Sequence, residues 1–289
     1  MPTFGAWEQE VLERSIHTVD HISAHVYYEP LDGDQTSFMA VAEDMDRFID
    51  SVTATADAVA AARKLDKKIN LSFDEWNVWY QSRFDGENSL PVREAPALIE
   101  DTYDVADAVV VGSLLITLMR HTDRVAMACQ AQLVNIIAPI RTEVDGPAWR
   151  QTIFHPFALT SRHAKGDVLD LRVESPKIDT ERFGTVDQVL STATYDEATG
   201  DLVIFLVNRS LTDAVDTRVD LSGFGAVELV EHLMLHEDDH TLTNSAEDEA
   251  VRPKAGTSSL TDANLTITLP AVSWHCVRIS AATDERTTS

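Results

Sequence analysis

The spacing of apolar residues changes near Gly166, and this change constrains the fold more than any other feature of the chain. Before Gly166, short alternating stretches typical of strands lie at 21–28, 68–75 and 124–132, with longer helical patterns between them. Parallel strands need long crossover connections, usually helices, so this order predicts parallel α/β units. After Gly166, short alternating segments follow one another with turn residues between them, which predicts an antiparallel β-sandwich.

The same periodicities predict the individual elements. Helices are expected at about 5–19, 38–64 and 102–120, and a further one at about 148–164 after a Gly146-Pro147 turn. The polar stretch 81–97 is predicted to be a loop. Sandwich strands are predicted in the segments DVLDLRVES, VLSTATYD, LVIFLVNRS, TRVDLSGF, AVELVEHLML, LTITLP and WHCVRIS. We therefore expect an α/β unit over residues 1–165, a sandwich over 166–281 and a frayed tail over 282–289.

Composition limits the partners that the chain can have. Its 289 residues carry 48 acidic and 23 basic side chains, a formal charge of -25. Such a charge repels phosphate backbones and anionic lipid surfaces, so neither nucleic acid nor membrane is an expected partner. The most apolar stretch, 108–119, is shorter than the ~20 residues that cross a bilayer.

Two cysteines and the N-terminal sequence predict a cytoplasmic location. Cys129 and Cys276 are too few for a disulfide framework, which fits a reducing compartment. The first fifteen residues have neither a basic region nor an apolar core of the kind that directs export.

One carboxylate, Glu75, lies in the aromatic-rich segment KINLSFDEWNVWY at 68–80. Acidic side chains are uncommon in strands, so Glu75 is either a catalytic nucleophile or an exposed carboxylate where a strand ends, and the spacing favours neither. Strict alternation would turn Glu75 toward the helices with Phe73. Either the strand ends by Asp74, or a bulge redirects Glu75; without a bulge, Asp74 points to the opposite face.

The strand at 21–28 has one polar and one apolar face. Ser23, His25 and Tyr27 alternate with Ile22, Ala24 and Val26. The apolar set suits packing against helices, and the polar set suits a site.

The segments ISAHVYY, SFDEWNVWY, DRVAMACQAQLVNIIAPI and AWRQTIFHPF resemble the C-terminal part of α-L-arabinofuranosidases of glycoside hydrolase family 51, and their order along the chain is that of the family. The resemblance implies the end of a (β/α)8 TIM barrel, with apparent strands six to eight, followed by the sandwich. It also implies a retaining hydrolase that releases terminal non-reducing α-L-arabinofuranosyl residues from arabinoxylan or arabinan oligosaccharides. No metal or organic cofactor is implied.

The resemblance also implies roles for particular residues. Glu75 matches the nucleophile, Tyr27 the tyrosine that hydrogen-bonds it, Trp79 an aromatic wall of the sugar site and Gln132 a contact to arabinose hydroxyls. By residue type alone, other roles stay open for two of these residues. Trp79 also suits a purely hydrophobic position at the rim of the barrel, and Gln132 also suits a structural position that caps the end of a strand. His25 shares the face of Tyr27, and a role beside the site and a purely structural role are both open.

The sequence departs from the family pattern at the acid/base residue. The family's Gly-Asn-Glu motif is absent, and a complete barrel takes ~250 residues. Glu29, beyond the end of the first strand, is a conceivable substitute acid. The leading hypothesis is thus an arabinofuranosidase whose acid is missing from this chain. The alternatives are a non-catalytic remnant acting as a structural or homo-oligomer-forming module, and a retaining glycosidase for another sugar.

Three histidines, His232, His236 and His240, recur at intervals of four residues with acidic residues between them. This spacing suits a metal site on a helix. Because the preceding residues are strand-like and EDDH suits a turn, we predict a solvated acidic loop without metal instead.

Overall fold

The computed structural model describes residues 5–84, 94 and 96–281, and these contain five α-helices and sixteen β-strands. The helices are α1 (Ala6–Ser15), α2 (Gln35–Met39), α3 (Ala42–Ala62), α4 (Val105–Arg120) and α5 (Phe154–His163). The first five strands are β1 (His21–Tyr28), β2 (Asn70–Val78), β3 (Val125–Gln130), β4 (Ile140–Thr142) and β5 (Ala148–Arg150). Most of the predicted loop at 81–97 and the predicted tail at 282–289 lie outside the described residues.

Eleven further strands occupy the C-terminal half of the described chain. They are β6 (Asp167–Val168), β7 (Lys177–Thr180), β8 (Gly184–Asp187), β9 (Val189–Asp196), β10 (Asp201–Asn208), β11 (Val215–Asp220), β12 (Val227–Leu235), β13 (Lys254–Ala255), β14 (Ser258–Thr261), β15 (Asn264–Leu269) and β16 (Ser273–Ala281).

The first three strands form a parallel sheet in the order β1, β2, β3, as the strand and helix patterns predict. The apolar face of β1 is buried at Ile22 and Ala24, whereas Ser23 and His25 are exposed. Strand β3 is exposed on both faces after Val125. Within the described residues, β1 and β3 each have one open edge, and the three strands do not close into a barrel.

The predicted helix at 148–164 is wrong in its first part. Residues Ala148–Arg150 form β5, which pairs with β4 in a two-stranded hairpin. The Gly146-Pro147 turn closes this hairpin, because the Glu143 amide donates to the Pro147 carbonyl at 3.1 Å. Helix α5 therefore begins only at Phe154.

Helix α4 is apolar around its whole circumference because it is buried between two sheets. It contacts β2 and β3 on one side and β9, β10 and β16 on the other. At Gly112 a Cβ atom would lie 2.1 Å from Cδ1 of Trp274, so only glycine permits this approach. One apolar core consequently runs from the parallel sheet through α4 to Phe205 and Trp274.

The C-terminal strands form the predicted antiparallel sandwich. Six strands lie in the order β13, β12, β16, β10, β9, β6, and three face them in the order β11, β15, β14. Ile204 and Val277 of the larger sheet and Ile267 of the smaller one belong to the core between the sheets. A separate hairpin pairs β7 with β8.

One predicted sandwich strand, DVLDLRVES, is largely wrong. Only Asp167 and Val168 pair with β9, and the last backbone bond of this run joins the Leu169 amide to the Ala193 carbonyl at 2.9 Å. Residues 170–174 then run exposed outside the sheet, although they keep a strand-like alternation.

Among the described helices, none has the combined length and apolarity needed to cross a lipid bilayer.

Candidate active site

A β-bulge in β2 sets the geometry of the site. Between two paired positions, β1 advances from Ser23 to His25 while β2 advances by one residue more, from Ser72 to Glu75. The pairing of β2 with β3 has the same offset. Because the strand continues to Val78, the bulge is the correct one of the two alternatives, and it redirects Glu75 away from the helices.

Glu75 meets Tyr27 of the neighbouring strand. The Tyr27 hydroxyl donates a hydrogen bond to Oε2 of Glu75 at 2.7 Å. Burial raises the pKa of Tyr27 above its ordinary value, and the hydrogen bond to Glu75 and the charge of its carboxylate raise it further. The phenol therefore stays protonated at neutral pH and remains a donor to the carboxylate.

The bulge also brings Asp74 to the same face as Glu75, contrary to the alternation expected of an unbulged strand. Ser23 Oγ donates to Oδ1 of Asp74 at 2.7 Å, and His25 Nε2 lies 3.1 Å from the same oxygen. The other ring nitrogen of His25 lies 3.8 Å from Oε2 of Glu75. His25 thus lies between two carboxylates, and Asp74 is a site residue that strict alternation could not have identified.

Trp79 lies against Tyr27 at the end of β2. The two rings meet edge to face, with centroids 5.1 Å apart and planes at 81°. The Trp79 amide donates to the Tyr28 carbonyl at 2.9 Å, which continues the pairing of the two strands. Trp79 is half-buried, and its Nε1 has no hydrogen-bond partner among the described residues. The indole therefore forms an apolar wall beside Tyr27.

Gln132 lies just beyond the carboxyl end of β3, in an exposed position. The loop that carries it is joined to β2 by the Ala131 amide, which donates to the Trp76 carbonyl at 3.2 Å. Gln132 is therefore at the same end of the parallel sheet as Glu75, although no contact joins the two side chains.

Glu29 is already engaged in another interaction. Its carboxylate accepts the Ser82 amide at 3.1 and 3.2 Å and the Ser82 hydroxyl at 2.6 Å. The side chain thus anchors the turn at Gln81–Arg83, which leaves it poorly placed to act as a substitute acid.

His232 lies in β12, which corresponds to the predicted strand AVELVEHLML, and its side chain is buried. Asp238 and Asp239, in the predicted turn after this strand, are exposed. His232 Nε2 lies 2.9 Å from Nδ1 of His275 on the adjacent strand β16. Burial lowers the pKa of His232 to about 4 and holds that of His275 well below its ordinary value. The described part of the chain contains no cluster of three or more His, Cys, Asp or Glu side chains suited to a metal ion.

The fold and the site together define an α/β and β-sandwich protein with two carboxylates, a tyrosine and a tryptophan at the carboxyl ends of parallel strands. Enzymes built on parallel α/β units place their active sites at this end. A family model described as alpha-L-arabinofuranosidase C-terminal domain matches residues 74–273. The chain belongs to this family.

Sequence and structural similarity to known proteins supports the membership in this family. An "Intracellular exo-alpha-(1->5)-L-arabinofuranosidase" of Streptomyces lividans is 52% identical over 96% of the chain and 42% of its own length. An "Exo-alpha-(1->6)-L-arabinofuranosidase" of Bifidobacterium longum is 44% identical over 96% of the chain and 56% of its own length. The solved structure of a family 51 alpha-L-arabinofuranosidase from Bifidobacterium longum is 42% identical with a TM-score of 0.92, and covers 96% of this chain and 56% of that one.

These similarities confirm the likeness to family 51 that the sequence motifs predict. The chain spans about half the length of the curated relatives that it matches.

Proposed function

We propose that the chain is part of a retaining glycoside hydrolase that releases terminal non-reducing α-L-arabinofuranosyl residues from arabinoxylan or arabinan oligosaccharides. The contact between Tyr27 and Glu75 on the bulged strand carries this proposal. The names of the relatives support the sugar specificity, and those that are called intracellular support a cytoplasmic location. Residues 1–165 are proposed to belong to a (β/α)8 barrel, with residues 166–281 as its sandwich domain.

Glu75 acts as the nucleophile in this proposal. The Tyr27 hydroxyl holds Oε2, so Oε1 remains available to attack the anomeric carbon while the bond to the leaving oxygen breaks. The leaving oxygen takes a proton from the general acid, so the products of this step are an arabinosyl ester of Glu75 and the released alcohol. Water then attacks the anomeric carbon and gives a proton to the conjugate base of that acid, which frees arabinose and regenerates the Glu75 carboxylate.

The other site residues position the sugar and the nucleophile. Trp79 provides an apolar face for the furanose ring, and the amide of Gln132 both donates to and accepts from sugar hydroxyls. His25 supports the position of the Glu75 carboxylate from the side, and the contact with Asp74 fixes the orientation of the His25 ring.

A retaining enzyme also needs a protonated carboxyl group about 5 to 5.5 Å from the nucleophile. Asp74 is hydrogen-bonded to Ser23 and His25, and Glu29 is hydrogen-bonded to Ser82. We therefore propose that the acid comes from sequence that this chain does not contain.

The test uses 2,4-dinitrophenyl α-L-arabinofuranoside, because dinitrophenolate leaves without protonation and the missing acid is not required. We expect the chain to release one equivalent of dinitrophenolate and to gain one pentosyl group on Glu75, located by peptide mass spectrometry. Glu75→Ala should form no adduct, and the matched variant Glu29→Ala should form it normally.

An adduct that persists in Glu75→Ala would refute the assignment of the nucleophile. The corresponding dinitrophenyl β-xyloside and β-glucoside test the alternative of a glycosidase for another sugar. Faster adduct formation with either of these substrates would refute the arabinofuranosyl specificity and support a glycosidase for that sugar instead.

A second candidate function is a non-catalytic, self-associating module. The open edges of β1 and β3 favour it, together with Met127 of β3, which is 46% exposed. A chain that forms homo-oligomers by light scattering and never forms the pentosyl adduct would support this function over the hydrolase.

A further inference from the structure

Asn77 is a fully buried polar residue two positions beyond Glu75 on β2. Its Nδ2 donates to the Ala131 carbonyl at 2.7 Å and to the Ile137 carbonyl at 2.5 Å. These two carbonyls lie at the two ends of the loop that follows β3. A single side chain on β2 therefore holds both ends of the loop that carries Gln132.

The acceptor side of the Asn77 amide is satisfied as well. Its Oδ1 accepts the Val78 amide at 2.9 Å and Nε2 of Gln130 at 3.0 Å. An asparagine amide has two N–H donors and two acceptor lone pairs, so its hydrogen-bonding capacity is used completely. This fixes the orientation of the amide, and β2, the end of β3 and the loop become one hydrogen-bonded unit.

The loop of residues 131–137 needs such support because part of its backbone is unfavourable. Asn135 and Ile137 have φ angles of 63° and 38°, in the left-handed region that residues other than glycine seldom adopt. Ile137 is β-branched, which makes this conformation still less favourable. Such backbone persists only where surrounding contacts enforce it.

Several contacts enforce it. Oδ1 of Asn135 accepts the Thr142 amide at 2.8 Å, and the Ile137 amide donates to the Ile99 carbonyl at 2.9 Å. On the side of the parallel sheet, Asn77 provides both side-chain hydrogen bonds to the loop. Gln132 itself is exposed and makes no hydrogen bond to the described residues, so its position depends on the backbone that carries it.

We propose that Asn77 is a positioning residue that fixes Gln132 relative to Glu75. This inference rests on the proposed roles of Glu75 and Gln132, and it adds the element that links them. Asn77 touches no sugar, because its side chain is completely buried. It acts through the loop, so that the strand bearing the nucleophile also determines where the sugar-binding amide lies.

The test compares Asn77→Asp with a matched variant, Asn208→Asp. Asn208 is another fully buried asparagine, in the sandwich, and its Nδ2 donates to the carbonyls of Asp213 and Leu269 at 2.8 and 3.0 Å. Both variants keep the shape of the side chain and lose the amide donors. Only Asn77 donates to the loop of residues 131–137. Their comparison separates general loss of stability from a local effect.

Backbone hydrogen exchange in residues 131–137 of the chain is the first measurement, and it does not depend on activity. We expect Asn77→Asp to accelerate exchange in this loop by about tenfold or more, because both hydrogen bonds from the amide nitrogen to the loop carbonyls are lost. Asn208→Asp should leave the loop unchanged. Equal exchange in both variants would overturn the inference.

The second measurement is the rate of adduct formation with dinitrophenyl α-L-arabinofuranoside in Asn77→Asp, Gln132→Ala and the double variant. If Asn77 acts through Gln132, the double variant should be no slower than Gln132→Ala alone. Rate losses that multiply would show that Asn77 acts independently and would overturn the inference. A complete lack of adduct in the unsubstituted chain would refute the proposed function, and hydrogen exchange would still decide the role of Asn77.

Discussion

The buried pair of His232 and His275 predicts that the sandwich loses stability in mild acid. The Ser273 hydroxyl donates to the Pro270 carbonyl at 2.6 Å, so it must accept from Nε2 of His275 at 2.9 Å. Nδ1 of His275 is then left to accept from Nε2 of His232. Both imidazoles are neutral in this arrangement, and Nδ1 of His232 is buried with no hydrogen-bond partner in the part of the chain that the structure describes.

The size of the effect follows from the pKa of His232. Burial lowers it from 6.5 to about 4, so between these pH values the unfolded chain takes up a proton that the folded chain does not. Stability therefore falls as pH decreases through this window. At about 1.4 kcal/mol per pH unit across this window, the loss is at most about 3.5 kcal/mol for His232. His275 contributes in the same direction.

The assay is urea unfolding at several pH values from 7 down to about 4.5, for the unsubstituted chain and for His232→Gln. Glutamine places an amide nitrogen near the position of Nε2 and does not titrate, so the variant should lose less free energy of unfolding on acidification. His21→Gln, at an exposed histidine in β1, is the control and should follow the unsubstituted chain. A His232→Gln variant with the same pH dependence as the unsubstituted chain would refute the reasoning.

Three other predictions concern packing, charge and the site. Gly112→Ala should lower the free energy of unfolding by about 1 to 3 kcal/mol in urea titration, because its Cβ would overlap the Trp274 indole; Ser113→Ala is the control in the same helix. Sodium chloride should raise the melting temperature measured by calorimetry, since the charge of -25 causes self-repulsion that salt screens, and an unchanged melting temperature would contradict this. Tyr27→Phe should slow adduct formation roughly tenfold or more in the dinitrophenolate assay through loss of the hydrogen bond to Glu75, and an unchanged rate would exclude this role for the hydroxyl.

Periodicity predicted β1 and α3 because each of these elements buries one regular face, and it predicted α4 because a long apolar run is typical of a buried helix. It could not determine the bulge at Asp74 and Glu75, which depends on the register of β2 against two neighbouring strands at once. The same limit explains the errors at Ala148–Arg150 and at residues 170–174. At Ala148–Arg150 the local pattern suited a helix, but pairing with β4 makes a strand. At residues 170–174 the local pattern suited a strand, but the segment leaves β9 after Val168 and forms no strand.

The candidate site could be predicted only in part from the sequence. The family likeness assigns roles to Tyr27, Glu75 and Trp79, and the structure brings Tyr27 into contact with both of the others. Asn77 carries no sequence signal of its function, because its importance comes from carbonyl groups more than fifty residues away. Backbone acceptors are present in every sequence, so only the folded chain identifies the asparagine that binds them.

The position of α4 between the two sheets has a consequence for how such proteins change during evolution. Trp274 of the sandwich fills the space that Gly112 leaves open, and Phe205 and Cys276 belong to the same core. A sandwich transplanted from a distant relative would meet a helix surface shaped for another partner. A chimaera joined at Gly166 should therefore be less stable than the unsubstituted chain unless the helix surface around Gly112 is exchanged together with Trp274.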